Sequence, residues 1–285
     1  MTSFRRTKSN FALDRAIELA KQLGKPLLVF EGLRVGYPFA NERFHTFVLE
    51  GMRANERAFK ETPVKYVPYV ERRRGEARGL MEALVARACV VVGDDWPCLF
   101  IPRMQQALAD RIDCRFEVVD SNGVYPMHDT PRVFTTAHSF RVHLQKVLPA
   151  HLMQFPTEAP LSRLELPRFD APLPTRWPFG TDVNVAELPI DHSVRAVPIP
   201  GGSEEAEKRL APFIGKILPG YAESRNEPEL DGTSALSPYL HFGQLSSHQV
   251  FAKVVATEKW SVEQLGPSNG GAKEGWWKLS KHAEG

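Results

Sequence analysis

Cysteine is scarce in this sequence. Three cysteines, Cys89, Cys98 and Cys114, occur among 285 residues, and no two of them form a Cys-x-x-Cys pair. The odd number argues against a disulfide framework, and the spacing argues against a structural zinc site. Both features are typical of a reducing compartment, so we expect a cytoplasmic protein.

Long apolar runs and a strong charge of one sign are also missing. No apolar run approaches the roughly 20 residues of a membrane span, and the basic stretch MTSFRRTKSN lacks the apolar segment that a signal peptide has behind it. Lysine and arginine number 36 against 34 aspartate and glutamate residues, a net charge of +2. This mild excess permits a polyanionic partner without requiring one, and no membrane partner is expected.

The first half of the chain alternates helix and strand signals. Asn10 can cap a helix whose apolar stripe is followed by Gly24 as a stop signal, and residues 41–61 are predicted to form a second amphipathic helix. Such alternation predicts a parallel sheet covered by helices on both faces. The predicted strands are residues 26–32, 64–70 (disturbed by Pro68), 89–95 and 114–120, and two more helices are predicted at residues 79–88 and 104–112.

The start of this pattern is unusual. A domain of this class normally opens with a strand, whereas no apolar β-rich run precedes Asn10. Either the sheet lacks a strand, or the chain starts downstream of the natural start.

The composition of the sequence changes after residue 148. Ten of the 23 prolines lie between residues 149 and 200, which predicts a long connector across the surface. Helical signals return after Gly202, with Ser203 as a helix N-cap and Ser246 in a capping box with Gln249. We therefore predict an α/β domain at residues 1–148, a linker at 149–200 and a helical region at 201–285.

One short stretch, DGTSALSPYLHFGQLSSHQV from Asp231 to Val250, carries a phosphate-binding signal. Thr233, Ser234 and Ser237 supply three hydroxyls within five residues, and Ser237 followed by Pro238 predicts an N-cap and the first helical position. A helix N-terminus offers unpaired N–H groups to phosphate. On local chemistry alone, an ordinary capped helix turn explains the pattern better than a phosphate site does.

A wider pattern around this stretch resembles the DNA photolyase/cryptochrome family. It comprises Tyr221, Arg225 four residues on, a proline, the Thr-Ser-x-Leu-Ser box at 233–237 and the continuation Ser-Pro-x-Leu-x-x-Gly-x-x-Ser at 237–246. The form LHFGQLS and the N-terminal NFALDRAIELAKQLGKPLLVF are most similar to the class II branch, while the Thr-Ser box is closer to class I. The resemblance covers nearly the whole chain.

The resemblance implies a fold and a cofactor. The fold would be a Rossmann-like parallel-sheet domain of the antenna type, a long proline-rich linker and the beginning of an all-α FAD-binding domain. Hydroxyls and backbone amides would hold the FAD pyrophosphate, and a second antenna chromophore of unknown identity would be possible. The positions that match the family's FAD contacts are Tyr221, Thr233, Ser234, Ala235, Leu236 and Ser237.

The implied function is light-driven repair of cyclobutane pyrimidine dimers by electron transfer from reduced FAD. The partner would be DNA containing pyrimidine dimers, and the protein would be a monomer. Arg225 matches a position that meets the DNA backbone in the family, although a simple surface charge explains an arginine there as well. Two alternatives stay open: a cryptochrome-like flavin photoreceptor, and an inactive truncated nucleotide-binding module.

Both ends of the chain look truncated against the family. The helical domain of family members continues well beyond GWWKLSKHAEG and supplies further flavin and lesion contacts. If the 285 residues are the whole natural product, we expect that they neither hold FAD tightly nor repair DNA alone. Trp276 and Trp277 are interpreted as core or pocket-wall residues.

Other polar and aromatic features favour structural roles. The arginine-rich run at 71–79 is typical of a solvated loop, and Asp94 with Asp95 is interpreted as a polar strand end, although ligands often bind at such ends. His138 and His143 are five residues apart, which argues against a shared metal ion. Trp96 and Trp260 are interpreted as packing residues.

Overall fold

Helices and parallel strands alternate through the first part of the chain in a computed structural model, which describes residues 1–278. Each predicted strand and helix of this part is present, with bounds shifted by a few residues, so the α/β prediction is confirmed. The strands are β1 (Leu28–Leu33), β2 (Lys65–Val70), β3 (Val90–Asp94) and β4 (Arg115–Val119), and the helices are α1 (Phe11–Leu23), α2 (Glu42–Phe59), α3 (Leu80–Val85) and α4 (Ile101–Ala109).

Local side-chain chemistry sets the ends of the first two helices. The side chain of Asn10 accepts hydrogen bonds from the backbone of Ala12 and Leu13, and Asn41 accepts one from Phe44. Gly24 ends α1 in the left-handed region with φ 59°, where glycine is least strained. The predicted cap at Asn10 and the predicted stop at Gly24 are confirmed, whereas Asn41, expected as the first residue of the second helix, is its cap.

The strands form two separate parallel pairs. β1 pairs with β2 in the register Leu28↔Lys65, and β3 pairs with β4 in the register Val90↔Arg115. Helix α1 lies over both pairs, because its apolar face packs on Val29 of β1 while Arg15 binds Glu117 of β4. Among the described residues, no strand precedes α1.

The proline-rich connector packs on the α/β part of the molecule. Its leucines at 161, 164 and 166 pack against the cluster under α1, and its Phe179 bridges to Tyr69 at the edge of β2. The carbonyl of Pro68 accepts a hydrogen bond from Gly180 N–H. Pro68 is tolerated in a strand because β2 is an edge strand at this side. The predicted domain bounds at residues 148 and 200 stay a prediction.

Within residues 1–278, five α-helices follow β4: α5 (Ala137–Val147), α6 (Ser203–Pro212), α7 (Tyr221–Ser224), α8 (Ser237–His241) and α9 (Ser247–Thr257). Sequence reasoning missed α5, whose one buried residue is the polar Gln145. The predicted cap of α6 is wrong by one residue, since Gly202 is the N-cap and Ser203 begins the helix. The capping box of Ser246 and Gln249 on α9 is confirmed.

The helical part shares a core with α2. Phe47 of α2 is buried in the same apolar cluster as Leu210, Leu236 and Tyr239 of the helical part. The side chain of Gln244 donates to the backbone carbonyl of Phe47 at 3.2 Å. These contacts fix the helical part against the sheet-bearing part. None of the helices within residues 1–278 combines the length and apolar character that crossing a bilayer requires.

Candidate cofactor site

Tyr221 is held at the start of α7 by the core of the helical part. Its ring meets Phe213 edge-on, with centroids 5.4 Å apart, and one side stays partly exposed. The guanidinium carbon of Arg225 lies 5.7 Å from the centre of the Tyr221 ring. The two residues are one helical turn apart, so α7 presents an aromatic ring and a cation together.

A close backbone approach brings the loop of residues 231–237 against α7. Gly232 is buried against Ser224, and a Cβ atom on Gly232 would lie 2.5 Å from the hydroxyl oxygen of Ser224. Only glycine fits so close to another side chain. The structure thus brings the hydroxyl-rich loop next to the helix that carries Tyr221 and Arg225.

The loop points its hydroxyls outward and anchors itself with one leucine. Leu236 is 1% exposed within the core of the helical part, whereas Thr233 and Ser237 are exposed. Within residues 1–278 neither of these two hydroxyls is hydrogen-bonded, and the backbone N–H groups of Thr233, Ser234 and Ala235 donate no hydrogen bond. Because its side chain is buried, Leu236 can contact a ligand only through its backbone. The exposed hydroxyls and the amides of the loop are available as hydrogen-bond donors.

The predicted cap of α8 is wrong. Leu236, in a helical conformation, precedes the helix and makes no side-chain cap bond, while Ser237 is the first helical residue and Pro238 the second. Ser237 enters the helix because Leu236 is pulled into the core and continues the turn. Its hydroxyl consequently makes no capping bond and stays free on the surface.

Ala235 adopts a backbone conformation that sequence reasoning missed. Its φ is 49°, in the left-handed region that a residue with a side chain seldom occupies. The reversal at Ala235 turns the chain so that Leu236 points inward and the flanking hydroxyls outward. An alanine carries no sequence signal for such a turn, because glycine or asparagine is the usual residue there.

Asp94, at the acidic end of β3, holds the N-terminal residues of the chain in place. Asp94 is 2% exposed, and its Oδ2 accepts hydrogen bonds from the backbone N–H groups of Thr2, Ser3 and Phe4 at 2.6, 2.7 and 2.9 Å. Asp95 contacts His128. The interpretation of Asp94 as a polar strand end is confirmed.

The tryptophans interpreted as core residues pack as expected. Trp260 and Trp276 are 8% and 4% exposed and share one cluster with Leu148 and Leu152. Trp277 packs against the edge of that cluster. Trp96 meets Phe4 edge-on, with centroids 6.3 Å apart.

The remaining polar features of the sequence lie apart from the cofactor site. Arg72, Arg73 and Arg74 are exposed, in agreement with a solvated loop. His143 Nε2 lies 2.9 Å from the hydroxyl of Tyr125. In the part of the chain that the structure describes, no group of three or more His, Cys, Asp or Glu side chains is placed to hold a metal ion.

The donors of the 231–237 loop fit a cofactor that carries a pyrophosphate. Hydroxyls and unpaired backbone amides are the groups that bind phosphate oxygens at loop-to-helix junctions. The adjacent Tyr221 ring and the Arg225 guanidinium suit a planar or anionic neighbour. The arrangement supplies groups that bind and orient a ligand.

Comparisons with known proteins agree with the resemblance seen in the sequence. No protein-family model matches the chain. It is 30% identical over 243 residues to a deoxyribodipyrimidine photo-lyase of Methanothermobacter thermautotrophicus, an alignment that covers 85% of this chain and 52% of that protein. It is 27% identical over 263 residues to the deoxyribodipyrimidine photo-lyase of Arabidopsis thaliana, covering 86% of this chain and 50% of that protein.

Solved structures share the fold. A bacterial class III photolyase from Agrobacterium tumefaciens superposes with a TM-score of 0.66 at 16% identity, covering 89% of this chain and 51% of that one. The chain spans about half the length of the curated photolyases that it matches along most of its own length. The sequence motifs and these relatives agree on one likeness: along most of its own length the chain is similar to members of the DNA photolyase/cryptochrome family, and it shares the fold of solved photolyase and cryptochrome structures.

Proposed function

We propose that this polypeptide takes part in light-driven repair of cyclobutane pyrimidine dimers in DNA, with FAD bound at the 231–237 loop. The observation that carries the proposal is the set of free donors, two exposed hydroxyls and three unpaired amides, on a loop packed against the Tyr221 helix. Relatives named deoxyribodipyrimidine photo-lyase that align along most of this chain support it.

The residues of this chain bind and orient the cofactor. Thr233 and Ser237 donate hydroxyl hydrogen bonds to the pyrophosphate, and the amides of Ser234 and Ala235 add two more. Tyr221 forms an aromatic wall beside them. With FAD held there in its reduced form, light excitation would supply the reversible one-electron chemistry that opening a cyclobutane ring requires.

Arg225 is proposed to contact the DNA backbone. The residue is exposed, and its guanidinium lies over the Tyr221 ring, which limits the directions it can take. A phosphate contact from a positioned arginine fixes the register of a protein on DNA without reading its sequence. The contact would hold the DNA beside the cofactor loop.

Titration with FAD tests the cofactor proposal. We expect a weak, saturable affinity for the chain alone, because its binding groups are limited to one loop and one helix. The double substitution Thr233→Ala and Ser237→Ala removes two hydroxyl donors to a charged group, and should raise the Kd about 10-fold or more. Thr135→Ala is the matched control, since Thr135 is an exposed threonine far along the chain from the loop. An unchanged Kd in the double variant would refute the site.

A repair assay tests the activity. The chain is joined at its C-terminus to the second half of the Methanothermobacter photolyase, and ultraviolet-damaged DNA is incubated with the fusion in darkness or blue light. Dimer loss in blue light alone, abolished by the double variant, supports repair. Bound flavin without dimer loss favours a cryptochrome-like photoreceptor. No flavin at all favours the inactive nucleotide-binding module.

A further inference from the structure

Two of the three cysteines lie at matching positions of neighbouring strands. Cys89 comes directly before Val90, the first residue of β3. Cys114 stands in the same relation to Arg115, the first residue of β4. Val90 and Arg115 are paired in the parallel register of the two strands. One step back along this register places Cys89 beside Cys114, and both carry free thiols.

The hydrogen bonds between β3 and β4 support this pairing at Cys89. Asp95 N–H donates to Val119 O at 2.9 Å, so the odd-numbered residues of β3 direct their backbone groups toward β4. The carbonyl of Cys89, an odd-numbered residue, therefore faces β4. Neighbouring strands lie about 5 Å apart, and disulfides join residues whose Cα atoms are roughly 4.4–6.8 Å apart. The register thus brings Cys89 and Cys114 within disulfide range.

The two cysteines also share one face of the strand pair. Side chains alternate between the faces along each strand, and paired residues of parallel strands point to the same face. A Cβ atom on Gly93 would lie 3.1 Å from the ring of Phe116, so the odd-numbered residues of β3 and the even-numbered residues of β4 occupy one face. Cys89 and Cys114 belong to these two series, and their side chains consequently point the same way.

Solvent reaches both thiols. Cys89 is exposed and Cys114 is partly exposed. Helix α1 lies on the opposite face of the strand pair, because its Arg15 binds Glu117 of β4 at 2.8 Å. A small reagent can therefore approach the two cysteines without displacing α1.

We propose that Cys89 and Cys114 are a redox modification site, at which a small-molecule disulfide such as oxidised glutathione converts the two thiols into a reversible disulfide. The thiolate of the more exposed Cys89 attacks one sulfur of oxidised glutathione, which forms a mixed disulfide and releases one glutathione thiolate. The Cys114 thiolate then attacks Sγ of Cys89 and releases the second glutathione. The two protein thiols lose two electrons and two protons, and one glutathione disulfide gains them to give two glutathione molecules.

The reaction is reversible under cellular conditions. Excess glutathione or a dithiol reduces the disulfide by the same exchange in the opposite direction. The site is therefore compatible with the reducing compartment expected from the sequence, where disulfides form transiently.

Cys98 lies out of reach of this pair. It follows the carboxyl end of β3, whereas Cys89 and Cys114 precede the amino ends of their strands. A strand advances about 3.3 Å per residue, so the length of β3 separates Cys98 from the pair by roughly 16 Å. Cys98 can react with oxidised glutathione but has neither of the other two thiols beside it, which makes it an internal comparison.

Oxidation of the full chain tests the site. The folded protein is treated with excess oxidised glutathione, its remaining thiols are alkylated, and it is digested with pepsin in acid, where disulfides do not exchange. Mass spectrometry without reduction should find a peptide linked through Cys89 and Cys114 in most molecules, with glutathione or the alkyl group on Cys98. Dithiothreitol should remove the link. Glutathione or alkyl groups on all three cysteines, without a linked peptide, would overturn the proposal.

The same oxidation in concentrated urea shows whether the fold selects the pair. In an unfolded chain the shorter loop closes more readily, so the link between Cys89 and Cys98 should exceed the link between Cys89 and Cys114 about 4-fold. The folded chain should reverse this preference. Equal distributions of links in the folded and unfolded chains would refute the pairing by the strand register.

Single serine variants separate the two steps of the exchange. Cys114→Ser should retain glutathione on Cys89, because the thiol that displaces it is gone. Cys98→Ser is the matched control and should form the link between Cys89 and Cys114 to the same extent as the wild type. Loss of that link in Cys98→Ser, or glutathione on Cys89 of the folded wild type at the level seen in Cys114→Ser, would contradict the proposal.

Discussion

The guanidinium of Arg6 donates a hydrogen bond to the backbone carbonyl of Gly243, which lies 237 residues further along the chain, at 3.2 Å. Arg6 is 2% exposed and also donates to the carbonyls of Ser9 and Ser121. Burial lowers the pKa of Arg6 to about 10, so the side chain is still charged at neutral pH. One buried cation therefore joins the N-terminal segment, the end of β4 and the helical part beside α8.

Substitution of Gly243 tests this contact between the N-terminal segment and the helical part. Gly243 has φ 67°, and a Cβ atom there would overlap the carbonyl oxygen of Ser3 and lie 2.7 Å from the Cα of Phe4. We expect Gly243→Ala to lower the free energy of unfolding by more than about 3 kcal/mol, because backbone must move and the Arg6 bond is lost. The measurement is urea unfolding followed by circular dichroism.

Gly24→Ala is the matched control for this substitution. Gly24 has a similar φ of 59°, but a Cβ atom there would meet nothing within 4 Å. Gly24→Ala should lower the free energy of unfolding by about 1 kcal/mol, because only the strain of the left-handed backbone is added. Equal losses at the two glycines would mean that the contact with Ser3 and Phe4 does not constrain the fold.

A buried carboxylate beneath α2 predicts a second stability effect. Glu31 is fully buried and accepts hydrogen bonds from Arg5 at 2.9 Å, from Asn55 at 2.9 Å and from the hydroxyl of Tyr66 at 2.7 Å. Burial, together with the charge of Glu31, raises the pKa of Tyr66 far above its usual range, so its hydroxyl stays a donor. Tyr66→Phe should lower the free energy of unfolding by about 1–2 kcal/mol, because the buried carboxylate of Glu31 loses a hydrogen-bond donor.

Tyr69→Phe provides the comparison for Tyr66. The hydroxyl of Tyr69 donates to Glu76 over a longer distance of 3.2 Å, and Glu76 is only half-buried. Water can replace that bond, so we expect a loss below about 1 kcal/mol in the same unfolding assay. A larger loss at Tyr69 than at Tyr66 would contradict the role given to Glu31.

Short-range chemistry made most of the fold predictable. Asn10 and Gly24 act through residues within four positions, so both ends of α1 could be predicted directly from the sequence. Helix α5 was missed because its buried residue is Gln145, whose amide is satisfied by Asn269, Gly271 and Ala272 more than 120 residues away. Contacts of that range leave no periodic signal.

The sequence indicates which residues form the candidate site but not how the fold arranges them. The hydroxyls at 233, 234 and 237 mark the loop in the sequence, but the start of α8 depends on Leu236 entering a core formed with Phe47 of α2. The tertiary contact overrides the local preference of Ser237 for the N-cap. The left-handed turn at Ala235 has the same origin, because the loop must reverse to bury Leu236.

The turn at Ala235 predicts how the cofactor loop responds to substitution. Ala235→Gly keeps the backbone amide and relieves the left-handed conformation, so FAD affinity should be unchanged within about twofold and stability should change by less than about 1 kcal/mol. Ala235→Val adds a β-branched side chain where φ is 49°, which disfavours the turn. We expect a weakened FAD affinity, measured by the same titration. Equal affinities for the glycine and valine variants would show that the loop backbone does not hold the cofactor.

Acid should destabilise the fold through His248, which is 3% exposed on α9 and packs edge-on against Phe11 and Phe155. Burial, followed by the charge of Arg6, lowers its pKa to about 4. The unfolded chain takes up the proton near pH 6.5 and the folded chain does not, so stability is complete above pH 6.5 and falls as the pH drops toward 4. Its Nδ1 has no hydrogen-bond partner within residues 1–278.

His248→Phe removes this titration and keeps an aromatic ring between Phe11 and Phe155. Because no hydrogen bond of Nδ1 is lost, the variant should be close to wild type in stability at pH 7. Between pH 7 and pH 4.5 the wild type should lose about 2 kcal/mol more than the variant. His138→Phe, at an exposed position of α5, is the control and should retain the wild-type pH dependence. If His248→Phe also retains the wild-type pH dependence, another group takes up the proton, and the buried ring of His248 does not make the fold sensitive to acid.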